Sequence, residues 1–150
     1  MQKPGEPTMR AWSALLVAHR RLTSTLDAEL REHADMTLDE YDVLHQLHRA
    51  GEPMRMSELA EQVLISRPTT TRVVDRLVER GWVGRHKDPT DRRVVRVGLT
   101  VVGDEVLRSA GRLHLDGIAR LFEAPLSESQ IFAAGEALGA VVSGEGPQTE

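Results

Sequence analysis

The residues best suited to chemistry lie between Ser66 and Arg93, and they suit contact with a charged polymer rather than bond breaking. Ser66-Arg67-Pro68-Thr69 is small and hydroxylated apart from Arg67, and Thr71, Arg72 and Arg76 follow. Hydroxyls and helix N-terminal amides are good partners for phosphate oxygens. Thr69 can also pack its methyl on a thymine. Arg72 can fork onto a guanine edge, a contact worth ~1–3 kcal/mol of discrimination. Arg76 is better placed for a phosphate. Further on, Lys87 and the run Asp88-Pro89-Thr90-Asp91-Arg92-Arg93 form a cationic turn. An arginine on a narrow support suits the minor groove, where the potential is most negative over A·T-rich sequence. The order of Arg92 and Arg93 in that role stays open. Asp91 would repel phosphate if free, so its expected task is to orient a neighbouring arginine. Each piece alone also reads as a solvated helix face or turn; their combination is what points to nucleic acid.

These residues need elements to carry them. Ser57 is expected to cap a short helix over 58–63, and Leu64-Ile65-Ser66 turns the chain. Ser66 caps the next helix with Pro68 in its first turn, where a missing N–H costs nothing. Val73, Val74, Leu77 and Val78 define the buried side, with Thr70 one turn earlier, and Gly81 stops the helix. Residues 82–85 and 94–99 read as two strands joined by the Asp-Pro-Thr-Asp turn. Gly98, unfavourable inside a strand, marks a close backbone approach. A short strand at 54–56 can pair with this hairpin. The whole is a helix-turn-helix over 57–80 with a wing over 82–99, inside a DNA-binding lobe spanning 38–100.

Flanking this lobe are longer helices. The first is expected over about 9–33, capped by Thr8, after a disordered start over 1–7. Its apolar stripe, Trp12, Leu15, Leu16, His19, Leu22, Leu26 and Leu30, follows the helical period. So long a stripe exceeds what the small lobe can cover, and a second subunit is the natural cover. Thr37 and Glu40 form a capping box for a second helix that ends at Gly51. Thr100 caps a long helix to about Phe122, Pro125 breaks it, and Ser127 with Gln130 caps a last one. The expected fold is therefore mainly α with a small β wing: a winged helix-turn-helix between N-terminal (8–33) and C-terminal (101–143) dimerisation helices, in a single domain. The tail after Gly144 reads as disordered.

Composition sets the bounds. The 150 residues carry a formal net charge of −4, with 40% hydrophobic and only 3% aromatic residues. From Arg67 to Arg96 there are nine basic residues against four acidic ones, so an otherwise acidic chain has a local basic face. Such asymmetry attracts a polyanion on one side and repels it elsewhere. With no cysteine, disulfides, thiol redox sensing and thiolate metal sites are excluded. No apolar run approaches the ~18 residues of a membrane span, and no signal-peptide segment opens the chain, so the expectation is a cytoplasmic protein without membrane contact. His45 and His48 share a helical face at metal-binding spacing but lack a carboxylate partner, so no metal and no cofactor is expected. No phosphate-cradling glycine loop or nucleophile elbow supports an enzyme. The competing reading is a winged-helix module for protein–protein contact.

Leu59 to Val83, the wing D-P-T-D-R-R and Leu99 to Leu107 resemble the multiple antibiotic resistance regulator (MarR) family of bacterial transcription factors. The resemblance covers nearly the whole chain. It implies a homodimer on palindromic double-stranded DNA, acting in repression. It also implies release by a small anionic or phenolic effector bound between the dimer helices and the DNA-binding lobe. Trp12, His19 and His45 are the candidates for lining that pocket, with plain packing as the alternative. Members that sense oxidants use cysteine, which this chain lacks. Leu64 replaces a frequent turn glycine, and Thr70 stands where an aliphatic residue is usual.

Overall fold

Capping residues place most of the helix ends. In the computed structural model, which describes residues 3–91 and 93–144, the order is α1 (Glu6–Ala34), α2 (Leu38–Ala50), β1 (Met54–Arg55), α3 (Met56–Gln62), α4 (Arg67–Glu79), β2 (Val83–Lys87), β3 (Val95–Leu99), α5 (Val101–Ile118) and α6 (Glu128–Ser143). The Thr37 hydroxyl accepts from the Glu40 amide at 3.0 Å, and the Glu40 carboxylate accepts from the Thr37 amide at 2.9 Å. Gly51 (φ 71°) and Gly81 (φ 73°) close α2 and α4 in the left-handed region, which glycine enters without a Cβ penalty.

Two helix starts differ from expectation. α1 begins at Glu6 with Gly5 as its N-cap and Pro7 in the first turn, so Thr8 lies inside the helix. Pro7 brings a preset φ, and the Glu6 carboxylate complements the helix dipole. The expected disorder over 1–7 therefore does not extend past Gly5; Met1 and Gln2 lie outside the described residues, as does the expected tail over 145–150. α3 begins at Met56 and is capped from Arg55, whose amide donates to Glu58 at 2.8 Å, so Ser57 is not the cap.

The described residues fall into two compact units that divide between His114 and Leu115. The first unit holds the core and the sheet. The strands lie in the order β1-β3-β2, all antiparallel, with Met54 opposite Val97 and Val83 opposite Leu99. Leu44, Leu59, Val74, Leu77 and Val97 are fully buried and pack with Leu30 of α1. Each such side chain contributes roughly 1.5–3 kcal/mol relative to exposure. The close approach expected at Gly98 is against Pro53, whose Cγ would lie 3.0 Å from any added Cβ. Gly103 is tighter still: a Cβ there would collide with the Trp82 carbonyl. At Thr100 the hydroxyl accepts from the Gly103 amide at 3.0 Å, which starts α5 against the sheet.

In the second unit the end of α5 passes into a π-helical turn, Ala119–Glu123, ahead of Pro125. Ser127 and Gln130 form the expected capping box for α6. Along α6, Phe132 (71%) and Val142 (88%) are exposed.

Candidate nucleic-acid interface

The first turn of α4 is capped by a side chain and opens to solvent. Ser66 is the N-cap and accepts from the Thr69 amide, and its hydroxyl lies 2.8 Å from that of Thr69. Pro68, Thr71 and Arg72 are exposed. Arg67 is exposed and pairs with Glu61 of α3 at 3.2 Å, while the Thr71 hydroxyl donates to the Arg67 carbonyl. The Arg72 guanidinium has no hydrogen-bond or ionic partner among the described residues, so it is uncommitted. The opposite side of the helix is held by burial of Thr70, Val73, Val74 and Leu77. Thr70 is fully buried, and its hydroxyl donates to the Ser66 carbonyl at 2.9 Å. That bond removes the penalty of an unpaired hydroxyl, so the threonine does not leave the helix loosely seated. Leu64, 92% exposed, completes the preceding turn by donating its amide to Asp42 at 2.9 Å.

Arg76 is not free. Its Nε donates to Glu40 at 3.2 Å, and Arg80 approaches the same carboxylate at 3.7 Å. Glu40 is 4% exposed and also caps α2. A buried carboxylate is costly unless paired, and here two arginines at the end of α4 pair with it. Arg80 further binds Asp35 at 2.9 Å and stacks 3.6 Å over the Trp82 ring. The cations at the C-terminal end of α4 thus anchor the helix to α2, leaving the N-terminal end to face outward. Arg76 keeps half of its side chain exposed, so a phosphate can still reach it.

β2 runs beside α4, joined to it by the ion pair of Arg85 with Asp75. Lys87 at the end of β2 is exposed, and its ammonium has no partner among the described residues. In the turn, the Asp91 Oδ1 accepts from the Arg93 amide at 3.0 Å and from Arg93 Nε at 3.3 Å. Arg93 is 93% exposed. Arg92 lies outside the described residues. Sequence reasoning missed Asp88, which it used only as a turn signal. Its carboxylate is fully buried and bonded to Thr90, Asp91 and Arg96. The Thr90 hydroxyl first, then the Arg96 guanidinium, hold its carboxyl well below the usual carboxylate range.

The three pocket candidates divide. Trp12 (54% exposed) and His19 lie on the open surface of α1. His45 on α2 stacks parallel to Tyr41 at 6.0 Å, and His114 packs against the same Tyr41 ring at 4.3 Å. Burial, and then the nearby His45, hold the His114 imidazole below its usual value. His48 is engaged by Asp104 at 2.9 Å.

A sequence profile described as the MarR family matches residues 36–95. The fold matches the structure of Sco3205, a MarR family transcriptional regulator from Streptomyces coelicolor solved in complex with DNA, at 30% identity. That match covers 99% of this chain and 93% of Sco3205, with a TM-score of 0.87. The chain belongs to the MarR family. AbsC, a MarR family transcriptional regulator from the same organism, is 26% identical over 95% of this chain and 97% of its own, with a TM-score of 0.85. YpoP from Bacillus subtilis (strain 168), named as an uncharacterized HTH-type transcriptional regulator, is 32% identical over 59% of this chain and 64% of its own length. The matched stretch thus spans just under two thirds of that relative. Sco3205, AbsC and YpoP are each named as transcriptional regulators.

Proposed function

We propose that this chain is a sequence-specific DNA-binding regulator that acts as a repressor, binding a palindromic operator as a homodimer. One observation carries the reading: the exposed start of α4 offers an uncommitted Arg72, while the far end of the helix is locked to α2 through Glu40. A helix held at one end and open at the other is what major-groove docking requires, since base contacts come from the N-terminal residues of a recognition helix. In this reading Ser66, Arg67, Pro68, Thr69 and Thr71 meet phosphates and thymine methyls, and Arg72 reads a guanine. Lys87 meets backbone, and Arg92 or Arg93 enters the minor groove with Asp91 orienting it. That Sco3205 was solved with DNA supports the assignment.

The homodimer is supported by apolar surface that one protomer leaves open. On α1, Trp12, Leu16 (50%) and Val17 (56%) are exposed, and on α6, Phe132, Val141 (74%) and Val142 are. Patches of this kind mark interaction surfaces, and a second copy is the proposed cover. A small anionic or phenolic effector would act near His45, where the His114 Nδ1 is buried without a partner among the described residues.

A gel shift on the DNA upstream of the chain's own gene tests the function. Tight, sequence-dependent binding by a dimer is expected. Weak binding that depends only on duplex length would favour the protein-contact module instead.

A further inference from the structure

We propose that Asp88 is the positioning residue of the wing, setting where the tip arginines meet DNA and tying that setting to the start of α3 through Arg55. The proposal rests on the reading of the wing as a DNA contact and adds what aims it.

Asp88 is an acid in a surface turn, yet its side chain has no exposure, while Pro89, Thr90 and Arg93 around it are exposed. A turn-forming aspartate normally keeps its carboxylate in water; burial is tolerated only when the charge is paired and hydrogen-bonded. Here Oδ1 accepts from the Thr90 amide (2.8 Å), the Thr90 hydroxyl (2.6 Å) and the Asp91 amide (3.1 Å). Oδ2 accepts from Arg96 Nε at 2.7 Å and lies 3.6 Å from Arg55. The Asp88 amide donates to the Val94 carbonyl, and the Val94 amide to the Asp91 carbonyl, which closes the turn.

Two carboxylates therefore act in series. Asp88 holds the Asp91 backbone, and the Asp91 carboxylate holds Arg93 by amide and guanidinium. In the other direction Arg96 donates to the Pro53 carbonyl at 3.1 Å, and Arg55 is the N-cap residue of α3. A continuous path of polar contacts runs from the beginning of the helix-turn-helix to the wing tip. Aspartates that bond the backbone two residues on fix local turn geometry. A side chain held in its bound geometry loses less entropy on binding. Asp88 itself is sealed from solvent, so it contributes to affinity only through the tip it shapes, where the path of contacts ends on Arg93.

The test is a double-mutant cycle on the full chain. Wild type, Asp88→Asn, Arg92→Ala with Arg93→Ala, and the triple variant are titrated on a duplex selected by the wild type from a random pool, over a range of salt. Thermal unfolding of each variant is followed alongside. We expect Asp88→Asn to weaken binding by about tenfold, a typical pairwise coupling, and to change it less than about twofold once the tip arginines are gone. Its salt slope should fall by about as much as the double alanine's, ~0.9 for each phosphate no longer neutralised. Equal weakening in both backgrounds, or an unchanged slope, overturns the proposal, because a role in stability alone acts whether or not the arginines are present. If Asp88→Asn does not fold, Thr90→Val removes one donor from an exposed residue. It should show the same coupling with a smaller loss, and no coupling there overturns the proposal. A double alanine that binds like wild type removes the wing from DNA contact, and the positioning role with it. Equal weakening leaves the wing contact standing and rejects only the positioning.

Discussion

α4 and the wing tip are both expected to touch the same duplex, but they are held in place by different physics. α4 is seated by burial: Thr70, Val73, Val74 and Leu77 are sunk into the core, and the Glu40 pairings add to a helix already fixed. Among the described residues the wing tip has no such apolar anchor. Thr90 and Arg93 are exposed, and the turn takes its shape from Asp88 and Asp91. Dispersion and hydrophobic burial respond little to salt or acid, whereas hydrogen-bonded charges respond to acid and exposed ones to salt as well. The two regions should therefore fail under different conditions.

The largest expected effect breaks the helix side. Leu77→Ala removes a fully buried side chain and should cost about 2–5 kcal/mol of folding stability, read by denaturant titration. A loss under roughly 0.5 kcal/mol, the range of surface substitutions, would mean that α4 is not seated by its core. Arg72→Ala should leave stability alone and relax preference at one base position by ~1–3 kcal/mol, read from selected binding sites. An unchanged site profile would count against base reading by this side chain. Replacing Arg92 and Arg93 with alanine should weaken binding to every sequence alike and flatten the salt slope, by ~0.9 for each phosphate released from its arginine. A sequence-selective loss would instead make the wing a base reader.

Acid gives the smallest and most local change. The Asp88 carboxyl titrates below the usual carboxylate value when folded, so the native state binds fewer protons than the unfolded one in that range. Its contribution is complete above about pH 4, the ordinary carboxylate value, and declines as pH falls below it toward the lowered one. Protection of the Thr90 and Asp91 amides, taken relative to intrinsic exchange at each pH, should fall in that window while the amides of α4 keep theirs. Simultaneous loss of protection in helix and wing would show that they unfold as one unit.

What the sequence revealed and what it concealed follow the same division. Signals that act within four residues were legible: the Thr37–Glu40 and Ser127–Gln130 boxes, the Ser66 cap and the turns at Gly51 and Gly81. So was Gly98, because a glycine inside a strand is unfavourable without a reason, and Pro53 supplies the reason. Thr8 and Ser57 misled because they have cap chemistry, while Gly5–Pro7 and Arg55 with Glu58 offered starts that won on backbone geometry. The ion pairs were hidden by distance along the chain. Arg76 meets Glu40 36 residues away, and Arg96 reaches the Pro53 carbonyl 43 residues away. No periodicity reports such partners, so Arg76 read as a free cation and Asp88 as a simple turn former.

The Glu40 carboxylate serves as lid for one helix and as mooring for another, and this restricts how the chain can drift. Glutamine there would keep the reach to the Thr37 amide but surrender the charge that Arg76 and Arg80 lean on; aspartate would keep the charge and fall short of both. Any lineage that changes this position has to rebuild two junctions in step, so the spacing between the start of α2 and the reading helix should be among the slowest features of the molecule to diverge.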